Sequence, residues 1–195
     1  MQITTLPLGS YQTNCYLVSA DDRTDCVVID PGYHPEQVLL KAQQLGKTIA
    51  AVLLTHGHFD HVGGVKGIAQ AVHCPVYICE EDLSMPEAFT AGPICYTDTY
   101  ADGDILELAG LTFRVMHTPG HTRGSVCLCC GDAIFSGDTL FWGSCGRTDL
   151  PGGDWATIRA SLLRLSRMTG DYRVFPGHGQ STTLNDERKF NPYLK

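Results

Sequence analysis

The chain has 195 residues, the size of one ordinary domain. Hydrophobic residues make up 43% and charged residues 18%, a composition that folds instead of staying disordered. A net charge of −7 repels polyphosphate and weighs against a nucleic-acid partner, and no apolar run approaches the ~20 residues that cross a bilayer.

In chain order, Asn14 to Ser19 and Cys26 to Asp30 read as two strands around a turn at Asp21–Arg23. Pro35 to Leu45 reads as a helix. Pro35 suits its first turn, Val38, Leu39, Ala42 and Leu45 share a face, and Gly46 ends it. The continuous apolar run Ile49 to Leu54 predicts a central strand buried on both faces. A polar loop from Thr55 to Asp60 leads into a helix from about His61 to Val72, followed by a short strand, Val76 to Cys79. Glu81 to Asp102, with Pro86, Gly92 and Pro93, reads as loop with broken helix. Then come strands at Ile105–Leu108, Leu111–His117, Ser125–Cys130 and Ala133–Phe135, with turns at Gly110 and Gly131–Asp132. Asp154 caps a helix carrying Ile158, Leu162, Leu163 and Leu165, which ends at Gly170. Arg173 to Phe175 is one more strand, and a last short helix runs from near Thr183 to before Pro192. Strands alternating with helices predict sheets covered by helices.

Met1 to Thr5 carries neither the basic region nor the apolar run of a secretory signal, so a cytoplasmic protein is expected. The nine cysteines are odd in number and cannot all pair; buried reduced thiols fit a reducing compartment.

One string dominates the chemistry: Thr55-His56-Gly57-His58-Phe59-Asp60-His61. Four metal-ligand side chains fall within six residues, directly after the buried strand. A loop leaving the carboxyl end of a central strand can turn several side chains toward one point. Three further segments share one design, in which a glycine at a strand end precedes a ligand-type residue: Gly120-His121, Gly137-Asp138 and Gly177-His178. Five His and two Asp exceed what one zinc needs and suit two metals with a shared carboxylate, Asp138 or Asp60. Imidazole with carboxylate suits zinc, iron or manganese better than calcium.

His56-x-His58-x-Asp60-His61, followed in order by His121, Asp138 and His178, resembles the metallo-β-lactamase superfamily of hydrolases, over nearly the whole chain. Asp30-Pro31-Gly32 and the segment Phe141 to Asp149 are similar to the glyoxalase II (hydroxyacylglutathione hydrolase) branch. The resemblance implies an α/β protein with an αββα four-layer sandwich: two facing mixed β-sheets with helices outside, as a single hydrolase domain over 1–195. It implies that His56, His58 and His121 hold one divalent cation, that Asp60, His61 and His178 hold a second, and that Asp138 bridges them, zinc being favoured over iron or manganese. Asp30 would accept a hydrogen bond from a ligand imidazole, and His117 would stand behind the ligands.

The implied reaction is attack of a metal-bridging hydroxide on a thioester or related ester. A metal brings the pKa of a bound water to about 7. Asp60 would orient the nucleophile and relay its proton, and a thiolate leaves without acid help. Arg147 matches a basic residue near the thiol moiety of the substrate. The expected partner is thus a small-molecule (thio)ester, with neither nucleic acid nor membrane; the oligomeric state is not legible. The chain ends 17 residues after His178. It is therefore expected to lack the C-terminal helical region with which full-length glyoxalase II enzymes bind glutathione. A second resemblance, to mononuclear iron persulfide dioxygenases, rests on Gly146 to Asp149 and on the shared ligand types. His34 and His73 read as structural, and Tyr33, Tyr96 and Trp142 as candidate cleft walls or packing.

Overall fold

The first three strands, β1 (Gln2–Leu8), β2 (Thr13–Ser19) and β3 (Asp25–Ile29), form an antiparallel meander. The structure is a computed structural model that describes residues 1–90 and 92–195. β1 escapes the sequence reading: Thr4, Thr5 and Pro7 blur its apolar pattern, and it lies at the sheet edge, where a proline is tolerated. α1 (Pro35–Gln44) crosses to β4 (Thr48–Leu53), which runs parallel to β3. α2 (Phe59–Val62) and α3 (Val65–Val72) cross to β5 (Val76–Cys79), parallel to β4. β6 (Asp98–Tyr100) adds a further parallel strand, inside the stretch expected to be loop and broken helix. Ala91, within that stretch, lies outside the described residues.

The helix expected over 61–72 is two pieces. The chain breaks at Gly63–Gly64 because the backbone there packs on the Asp30–Gly32 turn. A Cβ would fall 2.4 Å from the Gly32 carbonyl oxygen at Gly63, and 2.6 Å from that of Pro31 at Gly64.

The second sheet starts with β7 (Ile105–Leu108), β8 (Leu111–His117), β9 (Val126–Cys130) and β10 (Ala133–Gly137), all antiparallel. A small hairpin, β11 (Leu140–Phe141) and β12 (Ser144–Cys145), precedes α4 (Trp155–Ser166). β13 (Arg173–Pro176) then joins β10 in parallel, and β14 (Thr182–Thr183) closes the edge before α5 (Leu184–Phe190). The sheet orders are β1-β2-β3-β4-β5-β6 and β14-β13-β10-β9-β8-β7.

Period-two alternation along buried strands builds the layers. On β2, Cys15 and Leu17 face α1 and α3, packing with Val38, Ala42 and Ile68, while Tyr16 and Val18 face the other sheet. On β9, Cys127 and Cys129 pack under Ile158, Leu162 and Leu165 of α4, while Val126, Leu128 and Cys130 meet the first sheet. The Cys127-x-x-Cys130 spacing thus puts its two thiols on opposite faces. The result is helix, sheet, sheet, helix, as expected. Phe113 and Phe135 anchor the middle layer with no exposure, each contributing about 1.5–3 kcal/mol by burial. α4 starts where Asp154 accepts the Thr157 N–H at 2.7 Å, a cap worth about 1 kcal/mol. No described helix is long and apolar enough to cross a membrane.

Candidate metal centre

β4 ends in buried Leu53 and Leu54, and the next residue, Thr55, is clamped by Asp30. The Asp30 carboxylate accepts the Thr55 N–H at 2.7 Å, the Thr55 hydroxyl at 2.6 Å and His61 Nδ1–H at 2.9 Å. Its backbone is left-handed, with φ 50°, a conformation aspartate adopts more readily than most residues. Asp30 thereby fixes both ends of the His56–His61 string.

The loops after β4, β8, β10 and β13 meet. His56, His58 and His121 each place a ring nitrogen within 4.8 Å of the others, and Asp60, His61 and His178 form a second such group. Asp138 lies between them, with Oδ1 3.4 Å from His61 Nε2 and Oδ2 3.4 Å from His121 Nε2 and 3.6 Å from His178 Nε2. Asp60 Oδ2 is 3.2 Å from His178 Nε2. The outer nitrogens are occupied. His121 Nδ1–H donates to the Arg147 carbonyl at 2.8 Å, and His178 Nδ1–H donates to the Tyr11 carbonyl at 3.1 Å. With Asp30 on His61, three rings are fixed in the tautomer that leaves Nε2 as a lone pair facing inward.

These inward atoms fit divalent metal ions. His56 Nε2, His58 Nε2, His61 Nε2 and Asp138 Oδ1 are buried without a hydrogen-bond partner, an arrangement that costs about 1–3 kcal/mol per atom unless something binds there. His58 Nδ1 and His121 Nε2 also stand 2.9 Å apart, nitrogen to nitrogen. Burial holds His56 well below the ordinary histidine range, and His61, His121 and His58 push it further down. Burial and His121 carry His58 down to about 4, so both rings are neutral at pH 7. Burial opposes ionisation of Asp138, yet His61 and His121 keep its carboxyl below the usual range. Burial also opposes charge on His61 and His178, but Asp30 and Asp138 raise the first, and Asp60 and Asp138 the second.

Two supports are missed by the sequence reading. Thr13 on β2 donates its hydroxyl to Asp60 Oδ2 at 3.0 Å. Asp82, 1% exposed, accepts the Gly57 N–H at 2.8 Å, the Thr122 hydroxyl at 2.8 Å and the Gly124 N–H at 2.6 Å. It ties the His56–His58 loop to the His121 loop. Nothing in a lone acidic run, Glu80-Glu81-Asp82, marks which carboxylate turns inward.

The centre floors a cleft of about 570 Å³ walled by Tyr11, Phe59, Phe89, Phe141 and Leu150, with Arg147 at its side. Arg147 pairs with Asp149 at 2.7 Å. His117 is not among the converging side chains: its Nε2–H donates to the Arg123 carbonyl at 2.8 Å. Tyr33 packs behind Phe59, Trp142 lies in a separate surface depression, and Tyr96 is not among the cleft walls.

Two sheets between helices, with a histidine and aspartate metal-binding cluster at the loop edge, define a metal-dependent hydrolase. The chain belongs to the metallo-beta-lactamase superfamily, whose family model matches residues 8–178. Protein ML0493 of Mycobacterium leprae is 39% identical, covering 100% of this chain and 99% of its own length. Hydroxyacylglutathione hydrolase GloC of Haemophilus influenzae is 33% identical, covering 100% and 98%. Among solved structures, the B3 metallo-beta-lactamase BLEG-1 has a TM-score of 0.90 at 34% identity, covering 100% of both chains. TTHA1623 in a di-iron-bound form has a TM-score of 0.88 at 40% identity, covering 98% of this chain and 100% of its own. ETHE1 from Myxococcus xanthus has a TM-score of 0.86 at 29% identity, covering 98% and 84%.

Proposed function

We propose that the protein is a single-domain thioesterase acting on an S-acylglutathione-like substrate, with His56, His58 and His121 holding one divalent cation, Asp60, His61 and His178 a second, and Asp138 between them. The observation that carries this reading is the cleft. Its titratable floor is made of the proposed ligands themselves, and its remaining walls are mainly aromatic and aliphatic. Among the described residues no carboxyl or imidazole outside the proposed ligands lines the cleft, which suits a leaving group that needs no protonation. A thiolate, from a thiol of pKa near 8.5, departs without an acid. Support also comes from GloC, a relative named as a hydroxyacylglutathione hydrolase and matched along 98% of its length.

The two cations, zinc in our reading, would supply Lewis acidity and bring the pKa of a water to about 7. The chain's own residues do the rest. Thr13 holds Asp60 through Oδ2, so that Oδ1 is the oxygen to orient the attacking water and take its proton. Tyr11, Phe59 and Phe141 exclude bulk water around the acyl group. Arg147, beside the cleft and steadied by Asp149, would meet a carboxylate of the thiol moiety.

A second reading is persulfide oxidation at a single iron, favoured by the Gly146 to Asp149 segment. One preparation tests both: metals per chain are counted, then S-lactoylglutathione, glutathione persulfide under oxygen, and a cephalosporin are offered. Thioester turnover with two metals per chain is the expected result. Oxygen uptake with one iron, or a cephalosporin hydrolysed faster than the thioester, would overturn the proposal.

A further inference from the structure

Outside the cleft, the end of β5 comes against the end of β8. Cys79, the last residue of β5, is 2% exposed. His117 is the last residue of β8, and Glu81 sits on the 3-10 turn Glu80–Ser84 that follows β5. One donor atom from each of the three lies within 4.8 Å of the others. Cys79 Sγ–H donates to Glu81 Oε2 at 2.9 Å.

The imidazole is already oriented. His117 gives its Nε2–H to the Arg123 carbonyl at 2.8 Å, which leaves Nδ1 as the ring's lone pair. A carbonyl on one ring nitrogen is the usual companion of a metal on the other. The backbone beneath is braced as well. Asp102 accepts the His117 N–H at 2.8 Å, and Arg164 donates to both Asp102 and the His117 carbonyl. A cleft of about 200 Å³, lined by Glu81, Ser84 and Arg123 among others, opens beside Glu81 and admits water.

Thiol, imidazole and carboxylate together form a borderline-soft donor set, the kind zinc takes. Bond lengths of 2.0–2.3 Å at tetrahedral angles put donor atoms about 3.3–3.7 Å apart, inside the span of this group. Burial, with the Glu81 hydrogen bond next, pushes the Cys79 thiol far above its ordinary range. As a free thiol it is therefore neither nucleophile nor ready site of oxidation.

We propose that Cys79, Glu81 and His117 bind a third divalent cation of the zinc class, apart from the seven-residue centre and independent of what that centre hydrolyses. On binding, the cation takes the thiolate and the thiol proton passes to solvent, so affinity rises with pH. The ion would pin the first sheet to the second. It would also sit one residue from Asp82, which holds the loops of His56–His58 and His121.

Cobalt reads this site selectively, because the seven-residue centre contains no sulfur donor and gives no thiolate-to-cobalt charge-transfer band. The metal-loaded protein is titrated with Co²⁺ in weak buffer. The expected result is a near-ultraviolet charge-transfer band that saturates at one equivalent, with one proton released per ion. Cys79→Ala should abolish the band, and Glu81→Gln, at an exposed side chain that leaves the fold intact, should weaken cobalt binding about tenfold or more. No band at excess cobalt, a band that survives Cys79→Ala, or an unchanged affinity in Glu81→Gln would each overturn the proposal. If Cys79→Ala does not fold, Glu81→Gln alone decides.

Discussion

Gly177 faces the Asp138 carboxylate, and a single methyl group there should disable the centre. A Cβ at this position would fall 2.2 Å from Asp138 Oδ1 and 2.7 Å from His61 Cε1. Non-bonded contacts settle near 3.5 Å, so the oxygen would have to retreat by about 1 Å. The backbone cannot yield instead. Gly177 N–H donates to the Gly137 carbonyl at 2.8 Å, and its own carbonyl accepts the Asn14 N–H at 2.7 Å. His61 is fully buried and tied to Asp30. A misplacement of about 1 Å costs roughly 10²-fold in rate, and overpacking costs about 1–3 kcal/mol of stability. Gly177→Ala should therefore stay folded by circular dichroism, bind metal roughly 10–100-fold more weakly, and lose about 10²-fold in kcat/KM for S-lactoylglutathione. A variant with full metal content and a rate within about twofold of the parent would refute the steric argument.

Asp82→Ala should destabilise the fold by about 3–5 kcal/mol, since it leaves the Gly57 and Gly124 N–H groups buried and unpaired; urea unfolding midpoints measure this, and a loss below about 1 kcal/mol would contradict the clamp. Asp138→Ala should lower metal occupancy and activity together, as elemental analysis and turnover on one sample would record. Removing the metals with a chelator should lower the Tm and readdition restore it, the stability at stake being about 2.7 kcal/mol per site at a hundredfold excess over Kd. Phe135→Ala should cost about 3–5 kcal/mol with the metal content of the folded fraction unchanged.

The sequence carries the centre more plainly than the fold around it. Ligand-type side chains after a glycine, repeated at His121, Asp138 and His178, form a pattern that needs no coordinates to be seen, and the three loops do converge on the His56–His61 string. Strands with strong apolar runs are equally plain. Three of the four edge strands are not: β1, β6 and β14 each pair on one side only, and neighbours more than composition make them strands, whereas the edge strand β7 shows in its alternation. The break at Gly63–Gly64 is invisible because it answers to Pro31 and Gly32, thirty residues away. Asp82 and Thr13 escape for the same reason, being defined by what they reach across the sheet and not by any local signal. His117 sits four residues before His121, yet the turn between them sends it toward Arg123 and Cys79.

The distribution of sulfur gives every packed layer its own chemical witness. Cys15, Cys26 and Cys74 sit between the first sheet and its helices, Cys79 and Cys130 between the sheets, and Cys127 and Cys129 beneath α4. All nine cysteines are unpaired. An alkylating reagent applied at increasing denaturant, with labelled peptides counted by mass, would thus record the order in which the sandwich comes apart, slab by slab, with no engineered label.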